Sequence, residues 1–217
     1  MIKTLASAYS DQLHKLQWGL FPEEKPARTR VIQITAARFS EGVSTVTLAL
    51  ASSLARLFGA ESTLALEANL RKPSFSQILG SGSPTSMQDA LENDESAITA
   101  VARVEGFGFS VISAGSSLAG DTQGPEFYLE RIGILIDGFR GKFRYILIDS
   151  PPVLPYVDSD IISGFVDGVA IVVEANSTRA EVLDVAINRL KSVDAKIVGF
   201  ILNKRVFYIP KWLYKFV

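Results

Sequence analysis

The chain has 217 residues, 47% of them apolar, with 22 basic and 23 acidic side chains and a net charge of -1. That length and apolar share give one α/β domain with a full core, or at most two small ones, and set aside a disordered chain. The near-zero net charge argues against nucleic acid as a partner, and the absence of cysteine removes disulfides, thiolate metal sites and cysteine nucleophiles together.

Residues 3–20 read as an amphipathic helix, with Leu5, Tyr9, Leu13, Leu16 and Leu20 at three- and four-residue steps. Polar groups run throughout this segment, so it lacks the apolar core of a signal peptide. No window of the chain reaches the roughly 18 uncharged apolar residues of a membrane-spanning helix. The expectation is a soluble chain, or one attached to a membrane only through something else. Phe21–Pro26 breaks the helix and forms a linker. A strand is expected at 30–35 and a helix from Ser44 to about Phe58, closed by Gly59. Further strands are expected at 64–67, 109–113, 144–149, 168–174 and 197–202. Helices are expected at 86–93, 125–140, 158–164 and 178–192, and exposed loops at 80–85 and 114–125. Strands that are apolar throughout, alternating with helices, predict a doubly wound, mostly parallel sheet of about seven strands covered on both faces. The organisation expected is an N-terminal helix and linker (1–26), an α/β domain (27–204) and an aromatic, basic tail (205–217).

Between the first strand and its helix lies Ser40-Glu41-Gly42-Val43-Ser44-Thr45. In a nucleotide P-loop, G-x-x-x-x-G-K-[ST], backbone N–H groups cradle the phosphates, the lysine neutralises their charge and the hydroxyl holds Mg²⁺. Gly42, Ser44 and Thr45 are in register with that pattern. Val43 stands in the lysine slot and Ala37 in the first glycine slot. Ligands of such sheets sit at the carboxyl ends of the strands. Two further polar signatures fall there: Glu67-Ala68-Asn69-Leu70-Arg71 and Asp149-Ser150-Pro151-Pro152.

Order and context of these three motifs resemble the bacterial tyrosine kinases, relatives of the deviant-Walker ATPases that position cell-division and partition machinery. The pattern there is a Walker A loop, an hhhDxDhR strand end (A′) and an hhhDxPP strand end (B). The likeness runs from the N-terminal helix to Asn203 and includes Arg71-Lys72-Pro73-Ser74 and Leu202-Asn203-Lys204. It implies a P-loop NTPase-type fold, with nucleotide contacts from Ser40, Glu41, Gly42, Val43, Ser44, Thr45 and the base-recognising Asn203. It also implies Mg²⁺ on Ser44 and Asp149, and vestigial catalytic roles for Glu67 and Asp149.

Departures from the pattern set the functional expectation. The A′ aspartates appear as Glu67 and Asn69, so the site has lost one cation and one anion. Phosphoryl transfer rests on positioning and electrostatic stabilisation, and losing one such contact costs about 10²–10³ in rate. The N-terminal Glu-x-x-Arg-x-x-Arg oligomerisation signature reads Asp11, His14, Gln17, without its two permanent cations. The tail carries two tyrosines, Tyr208 and Tyr214, rather than a tyrosine cluster. The resemblance therefore implies a degenerate kinase-like scaffold or regulator of exopolysaccharide or capsule export. Its partner would be a membrane-anchored chain-length-determinant (co-polymerase) protein, with a homo-oligomer as a further expectation. Mg-ATP or Mg-ADP would be held weakly or not at all. One alternative is an active, atypical autokinase using Glu67 as base and Arg38 or Arg71 for the lost lysine. The other is a positioning ATPase built on a nucleotide-sandwich dimer. Structural readings stand beside these: Ser44 and Thr45 suit any helix start, Glu67 pairs with Arg71, Asn203 makes a turn, and Asp158 and Asp160 open a helix.

Overall fold

The computed structural model describes residues 19–20, 28–80, 87, 100–115 and 124–205. In chain order these form β1 (Arg30–Ala36), α1 (Val43–Phe58), β2 (Thr63–Glu67), α2 (Phe75–Leu79), β3 (Ala102–Arg103) and β4 (Ser110–Ile112). Then come α3 (Gly124–Phe139), β5 (Tyr145–Asp149), α4 (Asp158–Ser163), β6 (Gly168–Glu174), α5 (Ala180–Ser192) and β7 (Ile197–Asn203). The strands make one sheet in the order β3-β4-β2-β5-β1-β6-β7, parallel throughout except for β3 against β4.

Successive side chains of a strand point to opposite faces, so an all-apolar strand needs cover on both. Ile32, Ile34, Leu147, Ala170 and Val172 point to one face and meet Leu48, Leu50 and Leu54 of α1. Their neighbours Val31, Ile146 and Ile148 point to the other, against Ile132 and Ile136 of α3 and Ile162 of α4. Val169 and Ile171 continue that face under Ala186 and Leu190 of α5. Burying each such side chain contributes about 1.5–3 kcal/mol, which ties the strand ends firmly together.

The connections decide where a ligand fits. From β1 the chain crosses to α1 on the first face; from β5, its neighbour in the sheet, it crosses to α4 on the opposite face. Adjacent parallel strands whose connections leave on opposite faces open a crevice at their carboxyl ends. The crevice lies between the loop after β1 and the loop after β5.

The doubly wound, mostly parallel sheet predicted from the sequence is the one observed. The antiparallel β3 was not predicted, because two residues carry no periodicity. The expected helix at 3–20 lies outside the described residues except for Gly19 and Leu20, and the expected helix at 86–93 except for Met87. The tail beyond Arg205 lies outside them as well. No helix among the described residues is long and apolar enough to cross a membrane.

Candidate phosphate site

The loop from Ala37 to Gly42 turns on two residues in the left-handed region, Ser40 (φ 65°) and Gly42 (φ 93°). Gly42 is the N-cap of α1, and a Cβ placed on it would lie 2.2 Å from the side-chain nitrogen of Asn203. Only glycine meets both demands. Beyond it, the first-turn N–H groups of α1 have no partner within the helix, and Val43, Ser44 and Thr45 are half-buried rather than covered. A helix start of this kind attracts anions by its free donors and its dipole.

Glu41 organises the loop from within. Its buried carboxylate accepts the Ala37 N–H at 3.1 Å, the Arg38 N–H at 3.4 Å and the Thr178 hydroxyl. Two residues at the end of β7 hold the loop from outside. Asn203 donates its side-chain N–H to the Glu41 carbonyl at 2.9 Å, and the Lys204 ammonium donates to the Ser40 carbonyl at 2.6 Å. The Asn203 amide expected to read a base is thus spent in part on the loop.

Asp149 and Glu67 sit side by side, paired in register at the ends of β5 and β2, yet their environments differ. The Glu67 carboxylate accepts three backbone N–H groups, from Ser74, from Phe75 at 2.7 Å and from Ala114 at 2.9 Å. Burial raises its pKa, and these hydrogen bonds work against the rise. Asp149 is fully buried and neither of its oxygens has a hydrogen-bond partner. Burial lifts its pKa well above the usual carboxylate range; the Ser44 hydroxyl opposes the shift from a geometry short of a hydrogen bond, and Glu67 adds to it. A buried, unpartnered carboxylate facing a helix-start hydroxyl is a hard oxygen donor set, and such a set fits Mg²⁺.

Several sequence-level assignments change. The Glu67–Arg71 pair is not formed: Arg71 makes a two-pronged contact with Asp158 at 2.8 and 3.0 Å and stacks on Tyr156 at 4.0 Å. Glu67 is turned to the N–H groups before α2 instead. Asn69 accepts the Lys72 N–H at 3.2 Å, a turn contact. Asp158 and Asp160 lie in the first turn of α4, and Asp160 pairs with Arg189 at 2.8 Å. Arg38 is directed at the Ser177 carbonyl (3.2 Å) and toward Glu41 (3.9 Å).

A buried polar network under the crevice escaped the sequence reading. Gln33 donates to Ser150 Oγ (2.8 Å) and the Ser159 carbonyl (3.0 Å), and Thr35 donates to the Pro151 carbonyl (2.7 Å). Ser150 and Ser159 lie 2.7 Å apart. The network fixes the Asp149–Pro152 turn to β1 and α4. The available signal was two polar residues at alternate positions of an otherwise apolar strand.

No family model matches the chain. Among curated relatives, the tyrosine-protein kinase Ptk of Acinetobacter johnsonii is 28% identical over 177 residues, 82% of this chain and 24% of that protein. The succinoglycan biosynthesis transport protein ExoP of Rhizobium meliloti is 26% identical over 82% of this chain and 22% of its own length. The tyrosine-protein kinase CpsD of Streptococcus agalactiae is 26% identical over 81% of this chain and 75% of its own. The chain thus spans about a quarter of the first two and three quarters of the third. Of solved structures, the VpsO kinase domain superposes with a TM-score of 0.79 at 28% identity, covering 94% of this chain and 96% of that one. The septum site-determining protein MinD of Pyrococcus horikoshii, complexed with Mg-ADP, shares the fold at a TM-score of 0.68 and 22% identity, covering 86% of this chain and 76% of its own.

Proposed function

We infer that this chain, whose relatives are bacterial tyrosine kinases, is a degenerate kinase-like domain that holds Mg-nucleotide but does not transfer phosphate. The observation that carries the reading is the split between its two carboxylates: Asp149 is unpartnered while Glu67 is held by three backbone donors. Phosphates would rest on the N–H groups of Gly42 to Thr45, and Ser44 and Asp149 would hold the metal. Bound Mg²⁺ would supply charge neutralisation on the phosphate oxygens. What the chain lacks is the transition-state half of the site. Val43 offers no charge, Asn69 is a turn residue without one, and three backbone N–H groups occupy most of the Glu67 carboxylate's acceptor sites. Each lost contact is worth about 10²–10³ in rate, so turnover falls below use.

The active-autokinase alternative needs Arg38 or Arg71 in place of the lysine. Arg71 is fixed on Asp158 and Tyr156, and Arg38 points toward Glu41. The positioning-ATPase alternative has support in the fold alone. A scaffold or regulator of exopolysaccharide or capsule export is favoured by ExoP, named for succinoglycan biosynthesis transport. The partner would be a membrane-anchored chain-length-determinant protein, holding the domain at the inner face of the membrane.

Turnover and tyrosine phosphorylation with Mg-ATP test the reading. The wild type should show neither above the protein-free rate, and Val43→Lys with Asn69→Asp should raise turnover by about tenfold or more. Wild-type turnover of about 1–100 s⁻¹, usual for kinases, would overturn it.

A further inference from the structure

We propose that Lys204 supplies the phosphate-directed charge that Val43 no longer provides, so that the cation of this site comes from the end of β7. This rests on the reading that the site holds nucleotide.

Asn203 and Lys204 grip three consecutive loop residues immediately before the vacant lysine slot. Lys204 bonds the Ser40 carbonyl at 2.6 Å, Asn203 bonds the Glu41 carbonyl at 2.9 Å, and the Asn203 amide packs on Gly42. Lys204 itself takes a left-handed backbone conformation, φ 53°, which is uncommon for a residue with a side chain. From that position its stem reaches the loop. Among the described residues its ammonium meets the Ser40 carbonyl and, at 3.2 Å, the Glu174 carboxylate. An ammonium has three donors, so one is left for a phosphate oxygen while the Ser40 contact persists. The side chain is 45% exposed, and its flexible four-carbon stem allows the adjustment. Asp149, buried and unpartnered beneath the same helix start, marks this end of the sheet as a place for a charged ligand.

Arg38 and Arg71, the two cations the sequence offered in place of the lysine, are engaged elsewhere. Arg38 faces an internal carboxylate of the loop and Arg71 is bound two-pronged to Asp158.

Calorimetric titration of Mg-ADP and of adenosine into wild type, Lys204→Met, Lys204→Arg and the double variant Val43→Lys/Lys204→Met separates the outcomes. Lys204→Met should weaken Mg-ADP about ten- to a hundredfold, as loss of a charge-assisted hydrogen bond does, and leave adenosine unchanged. Lys204→Arg should bind Mg-ADP within about threefold of wild type, and the double variant should recover affinity, because either lysine serves the same phosphates. Unchanged Mg-ADP affinity in Lys204→Met would overturn the proposal while leaving the nucleotide reading intact. Equal losses for adenosine and Mg-ADP would reduce Lys204 to a loop brace and overturn it too. No binding to wild type at millimolar Mg-ADP would remove the nucleotide reading, and this proposal with it.

Discussion

The ends of β2 and β5 lie next to each other, each finishing in a carboxylate, and the chain treats them in opposite ways. At β2, Glu67 gathers three backbone N–H groups and closes the turn before α2 and the end of β4. At β5, Asp149 is buried with no partner on either oxygen, beneath the open start of α1. A buried polar group without a partner is costly, and of the two carboxylates only the one on the β5 side carries that cost. The β2 side has been absorbed into the architecture. One strand end is braced by the backbone around it, and its neighbour is left without hydrogen-bond partners.

The comparison breaks first at Glu67. Glu67→Ala should leave three N–H groups without an acceptor and destabilise the fold by about 3 kcal/mol or more. Urea denaturation measures this, and an unchanged midpoint would mean that the carboxylate is not structural. Next is Gly42→Ala, which forces a side chain into φ 93° and within 2.2 Å of the Asn203 amide. It should cost about 1–3 kcal/mol; Asn203→Ala in the same chain should recover the steric part and not the backbone part. The smallest effect has the opposite sign. Asp149→Asn should stabilise the metal-free protein at neutral pH by about 1 kcal/mol. The sign follows from its raised pKa. Below the unfolded-state value of 3.8 both states carry the proton. Above it the folded state keeps a proton that the unfolded state has released, so stability falls as pH rises through the folded pKa. Thermal melts from acid to neutral pH should show that decline in wild type and a flatter profile in Asp149→Asn. Equal profiles would mean that Asp149 has a partner after all.

Much of the fold was legible because buried parallel strands announce themselves as apolar runs. Tyr145–Ile148 and Val169–Val173 need no other signal. The left-handed turn at Gly42 and the helix that starts after it could also be read from spacing, because both are local. The fate of the carboxylates could not be read. Glu67 finds its donors 7, 8 and 47 residues away, and Arg71 finds Asp158 at a separation of 87, in place of the near neighbour the sequence suggested. Lys204 reaches Ser40 across 164 residues. Those contacts are set by strand order, which brings β7 and β5 to the loop after β1, and no local pattern records them. Gln33 was legible in principle, as a polar residue inside a buried strand.

The central claim is that the β5 side remains a Mg-nucleotide site. Calorimetric titration of wild type with ADP, with Mg²⁺ and with a chelator, tests it most directly. Binding that needs Mg²⁺ is expected, with loss of that metal dependence in Asp149→Asn. No binding at millimolar ADP, or binding indifferent to both Mg²⁺ and Asp149, would contradict it.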